Sequence, residues 1–131
     1  MSSSRTVIGM FVFLVLFFSA AGARGQQNHR LTRLARLVVD SAQLDKYNHF
    51  LKEEIETSMR VEPGVLMLYA VADKSNPARI TILEIYADST VYRSHLLTPH
   101  FLKYKTGTAG MVKQLELVPV IPLIPDMKIR L

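Results

Sequence analysis

The sequence contains no cysteine and no tryptophan among its 131 residues. Without cysteine there is no disulfide, no thiolate nucleophile, no thiolate metal site and no cysteine-linked lipid anchor. Glycine is sparse, at six residues, and never clustered, so the chain carries neither a phosphate-binding loop nor a dinucleotide fingerprint. No serine, histidine and aspartate fall in an order that suggests a hydrolase triad. The formal net charge is only +5, and its basic residues (Arg33, Arg36, Lys46, Arg79, Lys113, Lys128) are scattered. They form no run and are not interleaved with aromatics, which argues against a nucleic-acid surface.

An apolar run long enough to span a bilayer is also missing. The longest stretch, Val7 to Phe18, is about a dozen residues, against the roughly 20 that a membrane helix needs. Its context explains it. Arg5 precedes it, and Ala21-Gly22-Ala23 follows with the small-x-small pattern of a cleavage site. We therefore expect residues 1–23 to be a signal peptide, cut after Ala23 or nearer Gln26. The product would be exported, periplasmic or secreted, with no stable membrane insertion; an uncleaved anchor is the alternative. Residues 24–131 then form one domain. Lacking disulfides, it must draw stability from its core and from a partner subunit.

What is present reads as alternating strands and helices. Leu31 to Val39 is strand-like, with Arg33 and Arg36 on opposite faces. Leu44, Tyr47, Leu51, Ile55 and Met59 recur at helical spacing, capped by Ser41 or Asp45, with Phe50 flanking and His49 off the stripe. Glu62-Pro63-Gly64 ends that helix. Val65 to Ala72 and Ile80 to Tyr86 form a hairpin around Asp73–Pro77. Alternation in Val65–Ala72 places Val65, Met67, Tyr69 and Val71 on one face. Lys113 to Val120 is a fourth strand. Pro119, Pro122 and Pro125 interrupt regular pairing beyond it, so residues 120–131 are expected to form an extended arm on a partner. Both faces of the central strands are apolar, yet so short a chain can cover only one. Two sheets packed face to face would bury the other, which predicts a homodimer.

The densest chemistry lies between Ile80 and Tyr104. Glu84 shares a face with Ile80, Ile82 and Tyr86, and a carboxylate there must be paired, protonated or turned to a cavity. An arginine such as Arg36 is one candidate partner. Asp88 caps a short helix over about 89–97 that carries His95. Thr98-Pro99 starts another, with His100 in its first turn. His95 and His100 are five residues apart with a cap between them, and no third ligand is evident, so no metal site is expected.

The pattern Glu84-x-Tyr86-x-Asp88 followed by His95-x-x-Thr98-Pro99-His100-Phe101 resembles the antibiotic biosynthesis monooxygenase family. The resemblance spans roughly Arg33 to Val120, including the Glu-Pro-Gly turn. It implies an α+β fold: a ferredoxin-like four-stranded antiparallel sheet with helices on one face, assembled as a dimeric α+β barrel. It also implies a cofactor-independent monooxygenase acting on a quinol or similar aromatic, and it carries over Glu84, Tyr86, His95, Thr98 and His100 as site positions. Haem-degrading relatives are disfavoured by the missing tryptophan and the lack of a ligand pattern. On this reading His95 is the base or anion partner, Glu84 orients it or accepts its proton, and Tyr69, Tyr86, Thr98 and His100 bind the small-molecule substrate. Two alternatives remain open. One is an isomerase or degrading enzyme for a small sugar-like signal, which needs a cationic pocket with Arg33 or Arg36 turned inward. The other is a non-catalytic binder of a hydrophobic metabolite.

Overall fold

The structure, a computed structural model, describes residues 29–126. The expected signal peptide and the last residues of the expected arm, 127–131, lie outside the described residues. Within them the order is β1 (Leu31–Val39), α1 (Leu44–Val61), β2 (Val65–Ala72), β3 (Arg79–Tyr86), α2 (Ser89–His95), α3 (Pro99–Gly107) and β4 (Val112–Val120). The strands form one sheet in the order β2-β3-β1-β4, with every neighbour antiparallel. This is the α+β, ferredoxin-like arrangement expected from the sequence. Among the described residues no helix is long and apolar enough to cross a membrane.

One face of the sheet is covered by the helices. Ala35, Leu37, Ile80 and Ile82 point into it and pack on Tyr47 and Leu51 of α1. Tyr47 is fully buried, and its hydroxyl meets that of Tyr104 on α3 at 2.6 Å. Burial and the Tyr104 hydroxyl together push Tyr47 well above the ordinary tyrosine range. The opposite face carries Leu34, Arg36, Leu83, Ile85, Met67 and Tyr69, and no element among the described residues lies over it. Arg36 reaches Glu116 there, at 3.4 Å and in solvent.

Three local expectations need correction. The stripe of α1 does not run through Met59, which is 44% exposed. At about 100° per residue, spacings of four drift round the helix and leave Met59 about 120° from Tyr47. Tyr47, Leu51, Glu54 and Ser58 stay within about 60° of one another, and these are the four buried residues of α1. Second, neither Ser41 nor Asp45 caps α1. A single 3-10 turn, Ser41–Gln43, precedes it, so the capping carboxylate moves back to Asp40, which accepts from the Ala42 amide at 3.1 Å. Third, β2 is not a simple alternation. Its register to β3 shifts between Val65 and Met67, so Val65 and Leu68 are both buried while Tyr69 turns to the open face.

The corner between α2 and α3 is set by its caps. Asp88 accepts from the Val91 amide at 2.8 Å. Thr98 accepts from the Phe101 amide at 3.3 Å and donates its own hydroxyl to the His95 carbonyl at 2.7 Å, with Pro99 at the first helical position. One side chain thus closes α2 and opens α3. Thr98→Ala is expected to lower unfolding stability by about 1 kcal/mol, and Thr98→Ser to recover most of it, as read from urea denaturation. Equal midpoints for wild type and Thr98→Ala would refute the capping role.

Candidate functional site

A cavity of about 450 Å³ lies between the covered face of the sheet and the three helices. Most of its wall is apolar, built by Leu37, Leu51, Ile55, Leu68, Ile82 and Phe101. β4 is the sheet edge, and its Leu115 and Leu117 remain half exposed beside the cavity. One end is polar, where Arg33, Glu84, Tyr86, Tyr92, Glu54 and His95 converge.

The register between β1 and β3 creates the polar end. Arg33 and Glu84 are direct cross-strand partners, so both side chains leave the sheet on the covered face. Glu84 is only 8% exposed. Arg33 donates Nε and Nη2 to the same carboxylate oxygen, Oε2, at 2.9 and 2.5 Å, and Nη1 to the Tyr92 hydroxyl at 2.8 Å. The guanidinium also lies 4.4 Å from the centre of the Tyr92 ring. Burial works against its charge, but Tyr92 and Glu84 more than offset this and hold it above the ordinary arginine value. Tyr86 donates to the same Oε2 at 3.4 Å. Burial, then the adjacent Glu84 charge, pushes the Tyr86 phenol far up, so it stays a donor. The other oxygen of Glu84, Oε1, receives a hydrogen bond from no described residue.

Of the residues expected at the site, Glu84, Tyr86 and His95 line the cavity. Tyr69 does not: it is 64% exposed on the open face, because the β2 register shift turns it there. Thr98 is occupied as a cap. His100 faces away from the cavity, toward Glu62. The expected pairing of Glu84 with His95 is also absent. Glu84 is held by Arg33, not by His95 and not by Arg36.

His95 has other partners. It is 2% exposed, with Nδ1 2.9 Å from Glu62 Oε2 and Nε2 3.4 Å from Glu54 Oε1. His100 Nε2 meets the same Glu62 oxygen at 2.6 Å, and Ser58 donates to Glu54 Oε1 at 2.7 Å. Glu54 and Ser58 lie one turn apart on α1, and Glu62 follows its end. The α2–α3 corner brings the two imidazoles to 6.2 Å between centres, although the intervening cap seemed to separate them. Burial raises the affinity of Glu54 for a proton, partly countered by Ser58. Burial acts on Glu62 in the same direction, but hydrogen bonds from His100 and His95 outweigh it and hold Glu62 below the usual carboxylate range. The donor atoms of Glu62, His95 and His100 all lie within 4.8 Å of one another, a set that could hold a metal ion. Glu62 is thus a third potential donor that the linear pattern did not reveal. The one sequence signal for the cluster is that Glu54 and Ser58 share a helix meridian with Tyr47 and Leu51.

Comparison with known proteins agrees with this architecture. A provisionally assigned antibiotic biosynthesis monooxygenase from Bacteroides thetaiotaomicron VPI-5482 is 57% identical, with a TM-score of 0.77 over 78% of this chain and 97% of that one. A provisionally assigned monooxygenase from Lactobacillus acidophilus NCFM is 33% identical, with a TM-score of 0.70 over 72% of this chain and 45% of that one. A protein from Nitrosomonas europaea, 21% identical with a TM-score of 0.69, shares the fold over 76% of this chain and 95% of its own. No curated protein is significantly similar in sequence. Residues 30–107 match the antibiotic biosynthesis monooxygenase family, and the chain belongs to it.

Proposed function

We propose that the protein is an exported, homodimeric monooxygenase that oxidises a quinol or similar hydroxylated aromatic without a cofactor. The observation that carries this reading is the composition of the cavity. Its apolar wall suits a planar hydrophobic ring. Its polar end offers one carboxylate with one oxygen anchored by Arg33 and the other, Oε1, bonded by no described residue. A substrate hydroxyl at Oε1 would lose its proton to Glu84, and Tyr86 and Tyr92 would stand as neighbouring phenols beside the resulting anion. That anion supplies the electrons to dioxygen. One oxygen atom stays on the substrate carbon, and the other leaves as water with the two hydrogens removed from the substrate.

This revises the part assigned to His95. Both its ring nitrogens face carboxylates, so it serves as a cavity wall held from behind, and Glu84 becomes the proton acceptor. The sugar-like alternative requires a free cation in the pocket. Arg33 does turn inward, but each of its donor nitrogens is committed to Glu84 or Tyr92, and the other cation on the lining, Lys105, is a solvent-exposed residue of α3. The cavity therefore fits an apolar ring better than an anion.

The homodimer rests on the open sheet face, where Leu34, Met67, Tyr69, Leu83 and Ile85 lie together. Ile121, Leu123 and Ile124, all exposed, are the apolar part of the arm that would lie on the partner.

Three measurements test the proposal. With purified mature protein, a quinol should drive oxygen uptake and formation of a hydroxyquinone that carries one oxygen atom from dioxygen. Glu84→Gln should reduce that rate by about 100-fold or more with an unchanged far-ultraviolet circular dichroism spectrum. An undiminished rate would remove Glu84 from the chemistry, and tight binding without turnover would favour the non-catalytic alternative. Light scattering should give a dimer for wild type and a monomer for Tyr69→Glu, a position already in solvent within one chain; a monomeric wild type would contradict the assembly. Protein recovered from the envelope or medium of its host should begin near Arg24, and an intact Met1 in the cytoplasm would contradict export.

A further inference from the structure

We propose that Glu62, His95 and His100 form a binding site for a divalent first-row transition-metal ion, with zinc the best match. This inference does not depend on the oxygenase reading, because Glu62 and His100 take no part in the cavity wall.

The first support is convergence. Two histidines on consecutive helices aim imidazole nitrogens at one carboxylate oxygen more than 30 positions earlier, beyond the end of α1, at 2.9 and 2.6 Å. In a tetrahedral zinc site with bonds of about 2.0–2.1 Å, neighbouring donor atoms lie about 3.3 Å apart. The present donors, all within 4.8 Å of one another, reach that spacing by shifts of about 1.5 Å or less. Two imidazoles and a carboxylate are ligands that zinc accepts, and the fourth position would remain for water.

The second support lies behind the ligands. The nitrogen of His95 that is not aimed at Glu62 faces Glu54 at 3.4 Å, and Glu54 is held in turn by Ser58 at 2.7 Å. A carboxylate on the far nitrogen of a ligating histidine fixes the ring orientation and strengthens it as a donor.

The third support is charge. Glu54 is buried and Glu62 nearly so, and no lysine or arginine among the described residues pairs with either. Their only ionic partners are the two imidazoles. A divalent cation would sit directly against the Glu62 carboxylate, with an imidazole nitrogen from each histidine completing three ligands. Access is available, since the side chains of Glu62 and His100 are 14% and 13% exposed. The ion would tie the end of α1 to α2 and α3.

The test is zinc titration of chelator-treated, full-length mature protein by calorimetry, with cobalt as a spectroscopic probe. One ion per chain is expected. Cobalt should give the visible bands of a four-coordinate nitrogen and oxygen site, and zinc should raise the melting temperature. His100→Ala and Glu62→Gln should each weaken zinc binding by about 100-fold, and Glu54→Gln by about 10-fold. His49→Ala, an exposed histidine elsewhere on α1, should leave it unchanged. His100→Ala is the decisive variant, since His100 lies at the rim and its loss spares the core if His95→Ala fails to fold. Absence of a stoichiometric ion, or binding that survives His100→Ala and Glu62→Gln, would overturn the site. Oxygen uptake with a quinol is measured separately, so failure of the metal site and failure of the oxygenase reading remain distinct results.

Discussion

The ion pair between Arg33 and Glu84 is the constraint around which the site is arranged. Two strands that otherwise present aliphatic side chains to the core each place one charge opposite the other. Either charge alone in that layer would be severely destabilising; breaking a buried pair by removing one partner costs about 3–5 kcal/mol. Together they are matched by register, and Tyr92 and Tyr86 complete the hydrogen bonding. Yet replacing such a pair with well-packed apolar residues is often neutral or stabilising. Core stability therefore does not explain why the charges are here. Their position at one end of an apolar cavity does, because a fixed carboxylate with one oxygen bonded by no described residue is a chemical group as well as a structural one.

The same sheet explains why the cavity exists and what the proposed assembly would bury. Three helices cover β2, β3 and β1 more fully than the edge strand β4, and the space left beside Leu115 and Leu117 is where the pocket lies. The opposite face has no cover among the described residues of one chain. A disulfide could have stiffened so small a domain, but there is no cysteine, so burying that face is the remaining large source of stability. The proposed dimer and the proposed site are thus linked through one sheet, whose two faces serve different purposes.

Much of the fold was legible because its signals are local. Alternation marked the strands, Glu62-Pro63-Gly64 ended α1, and Asp88 and Thr98-Pro99 started the two short helices. Each depends on backbone sterics or on a hydrogen bond within three residues. The site was less legible because its contacts are long-range. Glu84 stood out as a carboxylate on an apolar face, but its partner depends on which strand lies beside β3, and Arg33 is 51 positions away. Tyr69 was misplaced by a single register shift, which reverses a strand's facing residues. The α1 stripe was misread because a spacing of four looks helical over two turns and drifts off the buried meridian over four.

His95 stands where these lines meet. One side of its ring is cavity wall; its nitrogens belong to the cluster behind. The ring can hold its orientation only if Glu54, Glu62 and the α2–α3 corner hold theirs. Those supports come from the end of α1, the cap Thr98 and the first turn of α3. This arrangement gives a physical reason for the sequence pattern His95-x-x-Thr98-Pro99-His100. The threonine and proline fix a corner tight enough for two histidines on different helices to share one carboxylate. The first histidine can then present a rigid face to the substrate space, and the second need not touch the substrate at all.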